Sequence, residues 1–167
     1  MAKVSIFAIL LASLSALASG ADTFLPLFQI ERTTNANVVR YDAKLVDGKL
    51  DPKEPVIAYW LLAAENGRHE KLSFLDRNMA YGFSTVRDDG PGDSYTIRIV
   101  SDRQRPIRVS LKDGAAIAET TIGGHRAYLQ RIFITTHKVL NVDKPLYAEM
   151  FGVDVVTGEK CYEKIVP

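Results

Sequence analysis

This sequence predicts an all-β domain: a single antiparallel β-barrel or β-sandwich of about nine strands, with one short helix near residues 71–79. Three observations carry that expectation. Turn signals recur along the chain, among them Asp47-Gly48, Asn66-Gly67, Asp113-Gly114, Gly123-Gly124 and Thr157-Gly158. The segments between them alternate apolar and polar residues, the period of a strand with one buried face. No glycine-rich phosphate loop and no strand–helix–strand rhythm points to a parallel sheet.

Residues 1–20 stand apart from the domain. Lys3 supplies a positive start, Val4 to Leu17 is an uncharged apolar run, and Ala18-Ser19-Gly20-Ala21 offers small residues for cleavage. This reads as a secretory signal peptide followed by one domain over residues 21–167, and so as a secreted or periplasmic protein. The run is shorter than the roughly 20 apolar residues of a spanning helix, and no later segment approaches that length. No transmembrane segment is therefore expected after cleavage. No cysteine lies near the cleavage site to take a lipid anchor.

The chain has 21 Lys and Arg against 20 Asp and Glu. Lys3 is the one charged residue of the leader, so the rest is neutral. A zero balance gives no support for nucleic acid or an anionic membrane as partner. Cys161 is the single cysteine, which excludes an internal disulfide. Its alternation with Glu163 and Ile165 reads as a small buried residue of a last strand, with an intermolecular disulfide as the alternative. No Asn-X-Ser/Thr sequon occurs.

The most distinctive stretch is Leu27 to Leu62. Phe28 and Ile30 precede a polar cluster, Arg32 to Asn37, that reads either as a turn held by its own amides or as a donor and acceptor array at the mouth of a pocket. Val39, Tyr41, Ala43 and Leu45 then alternate with Arg40, Asp42 and Lys44, a strand that ends at Asp47-Gly48. Two prolines make Lys49 to Pro55 loop or edge. Val56 to Leu62 is apolar at every position; β-branched and aromatic content favours a strand covered on both faces, although a short buried helix shares the pattern.

After a turn at Asn66-Gly67, Leu72, Leu75 and Met79 fall at helical spacing with Ser73 placed to cap. The remainder reads as strand: 81–87, 94–101, 107–111, 115–122, 127–136, 146–156 and 159–166, separated by turn clusters such as Asp88 to Asp93.

The chain resembles a family of secreted bacterial domains, domain of unknown function 4833. The residues that carry the resemblance are Phe28, Ile30, Arg32, Asn35, Asn37, Val39 and Tyr41-Asp42, then Pro55-Val56 and Tyr59-Trp60, then Leu72-Ser73-Phe74 with Ala80-Tyr81-Gly82, and Thr157-Gly158-Glu159. It covers nearly the whole chain after the leader. It implies a single secreted domain and supplies no catalytic residue.

Catalytic and metal motifs are absent. His69, His125 and His137 show no metal-ligand spacing, Cys161 has no Cys-x-x-Cys partner, and no Gly-x-Ser-x-Gly elbow occurs. Asp88-Asp89 falls in a turn, where Asp serves the backbone. Arg98, Arg103, Arg105 and Arg108 form a basic cluster that reads as a solvated face or as a docking patch for an anion. Aromatic residues concentrate in the first half, where Tyr and Trp serve a core or line a pocket.

The expectation is a non-enzymatic domain without a cofactor that binds a small or lipidic ligand through Arg32, Asn35, Asn37, Tyr41, Tyr59, Trp60 and Tyr81. The alternatives are an envelope structural or protein-interaction domain, and a hydrolase without a recognisable motif.

Overall fold

The computed structural model describes residues 22–90, 92–140 and 142–166. The expected signal peptide lies outside them. The chain is all-β: twelve strands form one open, curled half-barrel sheet. They are β1 (Thr23–Arg32), β2 (Asn35–Val46), β3 (Lys49–Leu50), β4 (Val56–Leu62), β5 (Arg68–Lys71), β6 (Phe83–Arg87), β7 (Ser94–Ile99), β8 (Ile107–Lys112), β9 (Ala115–Ile122), β10 (His125–Val139), β11 (Val142–Asp154) and β12 (Lys160–Ile165).

β10 is the spine. Its first residues pair with β9 and its later residues, Arg131 to Ile134, pair with β1, while β11 runs along the opposite edge. Two wings thus leave the same side of one strand, β1-β2-β4-β5 and β9-β8-β7-β6. The handover coincides with a register shift between Leu129 and Arg131, where a bulge adds twist and turns the strand. One apolar cluster joins the wings, with Phe28, Ile30, Val39 and Tyr41 from one and Ile97, Ile99, Ile107 and Val109 from the other.

The expectation of about nine antiparallel strands in a barrel or sandwich is roughly met, and differs from the structure on three points. The sheet is mixed, because β1 runs parallel to β10. It is open rather than closed. Three more strands are present. β1 contains Pro26, tolerated because the β1–β2 register shifts between Pro26 and Phe28; β3 is two residues long; and all four residues of β5 are exposed, so no alternation marks it.

The alternation read in β2 is observed: Val39, Tyr41, Ala43 and Leu45 are all buried. Val56 to Leu62 is a strand, with Val56 and Trp60 buried and the rest half-buried. The expected helix is a wide, π-type turn at Asp76–Ala80. Ser73 caps it reciprocally: Ser73 N–H and Oγ donate to Asp76 Oδ2 (3.0 and 2.7 Å), and Asp76 N–H donates to Ser73 Oγ (3.1 Å), which satisfies donors that a helix start leaves open. Cys161 is a half-buried free thiol packed against the core. Among the described residues no helix is long and apolar enough to cross a membrane.

Candidate functional site

The inner side of the curl holds a groove of about 590 Å³. Its floor follows from strand register. Ile132 and Ile134 alternate with Arg131 and Phe133, so the two isoleucines share one face of β10. Pairing then lays two rows across four strands: Ile30, Ile132, Met150 and Glu163, and beside them Arg32, Ile134, Ala148 and Ile165. Ile99 and Ile107 form the facing wall, and Met79, Ala80 and Tyr81 of the helical turn stand at one end.

Arg32 is the polar residue of the second row, and its surroundings are specific. Its guanidinium lies 4.4 Å from the Trp60 ring centroid, and Nη1 donates to the Tyr81 hydroxyl at 3.3 Å. Nε is buried without a partner, and among the described residues no carboxylate pairs with the guanidinium. Trp60 is fixed in turn: it forms a T-shaped pair with Tyr81, 5.2 Å between ring centroids, and its Nε1–H donates to Asp76 Oδ2 at 3.1 Å. Burial pushes the Asp76 carboxyl up, but hydrogen bonds from Ser73 and Trp60, with the charge of Arg32, hold it below its ordinary value. Burial raises the Tyr81 phenol, against the opposing pull of Arg32. Tyr81 therefore stays protonated at neutral pH. Its hydroxyl accepts from Arg32 and donates to no protein group among the described residues. The two side chains offer donors at the end of an apolar trough, a geometry suited to a carboxylate or phosphate head with an apolar body.

The other expected site residues lie elsewhere. Tyr41 is wholly buried beneath this cluster; it stacks on Phe28 at 4.4 Å and its hydroxyl donates to the Tyr81 carbonyl at 2.5 Å, so it holds Tyr81 from below. Tyr59 points to the opposite face of β4. There it donates to Asp42 at 2.5 Å and stacks on His69 at 4.4 Å, and burial with the Asp42 bond pushes its phenol up to about 12. Asn35 Oδ1 accepts from Asn37 N–H at 3.0 Å, and Asn37 Oδ1 accepts from Ala63 N–H at 3.0 Å. Both amides serve backbone groups near the rim. Asp76 and the groove floor were not read from the sequence. The Ser73-x-x-Asp76 spacing was a usable signal for the first. The floor depends on a parallel pairing that leaves no local trace.

Arg105, which also lines the groove, is held in a clamp. Arg105 reaches Glu163 with two hydrogen bonds, 3.0 and 2.8 Å, and also donates to the Thr121 carbonyl; Glu163 accepts from Gly123 N–H at 2.9 Å. The Arg105 bonds hold the Glu163 carboxyl below its ordinary 4.5 against the upward push of burial, and Gly123 adds to the effect. A depressed folded pKa gives stability that is fully present above the unfolded value and is lost as pH falls through the folded one. Glu163→Gln is expected to lower stability by about 1–2 kcal/mol at neutral pH. In thermal melts across pH the gap between the two proteins should hold down to about pH 5 and narrow below about pH 4.5. A gap independent of pH would remove the ion pair from this account.

The basic cluster read from the sequence divides. Arg105 is taken by this clamp, and Arg108 pairs with Asp88 at 3.1 Å; Arg98 and Arg103 face a second gap, between β4 and β6. A small cleft brings His125, Asp154 and Cys161 together. His125 Nδ1 lies 3.4 Å from Asp154. However, Asp154 Oδ1 caps the backbone of Val156 and Thr157, and among the described residues the thiol's hydrogen-bond partner is the Glu159 carbonyl at 3.9 Å. That is turn chemistry rather than an activated nucleophile.

An open, curled all-β domain with a largely apolar trough and an arginine that forms no ion pair among the described residues is the class that the fold and the site define. The chain belongs to the family described as Domain of unknown function (DUF4833), whose profile matches residues 28–164. No curated protein and no solved structure matches it.

Proposed function

We propose that this domain binds a small or lipidic amphipathic anion without catalysis, its apolar body in the trough and its head on Arg32 and Tyr81. The observation that carries the reading is the pairing of a groove of about 590 Å³, within the size of ligand sites, with a guanidinium that forms no direct ion pair among the described residues. Trp60, held by Asp76, fixes the guanidinium plane, and Tyr41 fixes the backbone that presents Tyr81. The leader of residues 1–20 supports export to a secreted or periplasmic location, where such a ligand would be met.

The test is native mass spectrometry of protein purified from its own export route, together with titration of a fluorescent anthroyloxy fatty acid. A carried mass lost on denaturation and a saturable rise in fluorescence are expected. Arg32→Met should weaken the probe by roughly tenfold to a hundredfold, the value of one hydrogen bond to a charged group. Ala148→Trp should block the trough. Binding of the probe that neither substitution alters would place the ligand elsewhere; a bare protein that gives no fluorescence rise would end the proposal.

A further inference from the structure

The neutral overall balance hides a local segregation of charge around the helical turn. Phe74, Leu75 and Met79 are 71 %, 68 % and 74 % exposed. The capping between Ser73 and Asp76 and the Trp60 bond to Asp76 lock the turn, so these three large apolar side chains are held outward. Beside them the gap of about 1120 Å³ between β4 and β6 is lined by Lys71, Arg77, Arg98 and Arg103. Among the described residues none of these four cations takes part in an ion pair or a side-chain hydrogen bond. Neighbouring cations do: Arg68 pairs with Glu65 and Glu70, and Arg105 with Asp102 and Glu163. The carboxylate on the lining is Glu54, which lies 3.7 Å from Lys44.

Three outward apolar side chains, with cations unpaired among the described residues along the adjoining gap, match the composition of an interfacial membrane contact, in which the apolar groups enter the headgroup boundary and the cations meet anionic lipid. An acidic polypeptide would satisfy the cations but leave Phe74, Leu75 and Met79 in water. We propose that the turn and the cations around it dock this domain on an anionic lipid surface. Met79 and Tyr81 line the trough while Phe74 and Arg77 line the gap, so docking sets the end of the trough against the bilayer. The docking surface stands whether or not the trough carries a lipid.

Phe74→Trp in the full chain gives a reporter at the surface against the constant, buried Trp60. With phosphatidylcholine vesicles containing phosphatidylglycerol, the introduced indole should shift to the blue and be quenched by brominated lipid. With phosphatidylcholine alone it should not. The leader is common to every variant, so differences among the variants do not arise from it. Arg98→Gln with Arg103→Gln should weaken vesicle binding by roughly thirtyfold, and Leu75→Ser with Met79→Ser should abolish the quenching. Phe74, Leu75, Met79 and Arg103 are exposed and Arg98 is half-buried without an ion pair among the described residues, so melting curves should move little. An indole that stays unquenched, equal binding to neutral vesicles, or full competition by polyglutamate would each overturn the proposal; the last would indicate an acidic protein partner. Fatty acid binding in the trough is measured separately, so failure of one reading leaves the other intact.

Discussion

Trp60→Ala should lower the stability of this domain by about 4 kcal/mol, in the range for removing a buried large aromatic side chain. Three losses add in one direction. The ring leaves a cavity beside Tyr81, with which it forms a T-shaped pair at 5.2 Å between centroids. Asp76 loses the Nε1–H donor at 3.1 Å, and Arg32 loses the face on which it rests at 4.4 Å. Trp60→Phe separates these contributions in part, because it keeps an aromatic face while removing the donor and the smaller ring of the indole. Its cost should be about 1–2 kcal/mol. Urea melts measure both. Hydrogen exchange should show the turn at Asp76–Ala80 opening earlier in Trp60→Ala than the β10–β11 hairpin, since Asp76 joins turn and sheet through this indole. Equal costs for the two substitutions would mean that the ring contributes little beyond its hydrogen bond.

How much of this was readable in the chain differs by element. The β2 strand was, because one of its faces is buried from Val39 to Leu45, which forces alternation on the sequence. β5 was not, because all its residues are exposed and no burial constrains their type; it exists by pairing with β4. β1 was hidden by Pro26 and by the polar cluster at its end. Its parallel partner is about a hundred residues away in β10, and a parallel pair has no connecting turn to announce it.

The same distinction applies to the site. Arg32, Trp60 and Tyr81 were singled out by residue type, and the fold brings those three together. Asn35 and Asn37 carry the same amide chemistry in a turn or at a pocket, and only the hydrogen bonds to Asn37 N–H and Ala63 N–H show which groups they serve. Net charge is limited in another way. A sum over the chain is blind to where Lys71, Arg77, Arg98 and Arg103 gather along one gap, and a docked partner meets the local sum.

Gly152→Ala should be nearly as damaging as the loss of Trp60, and for a purely steric reason. Gly152 sits in β11 opposite Leu129, at the point where β10 passes from β9 to β1. A Cβ built there would lie 2.5 Å from the Tyr128 carbonyl oxygen and 2.7 Å from Ile122 Cδ1. The isoleucine end can rotate, but the carbonyl belongs to the backbone of the spine. Relief requires β11 to move away from β10 or the bulge to flatten, and either change moves Met150 and Ala148, which floor the trough. The expected cost is about 3 kcal/mol, the upper part of the range for overpacking, or a fall of about 6–12 °C in the thermal midpoint. Gly90→Ala is the matched control, since nothing lies within 4 Å of the added carbon, and it should leave the midpoint unchanged. Fatty acid binding by Gly152→Ala, measured well below its midpoint, should also weaken, because the β10–β11 register sets both rows of the floor. A stable Gly152→Ala protein with unaltered binding would show that the bulge tolerates the methyl group and that the handover on β10 is not fixed by this glycine.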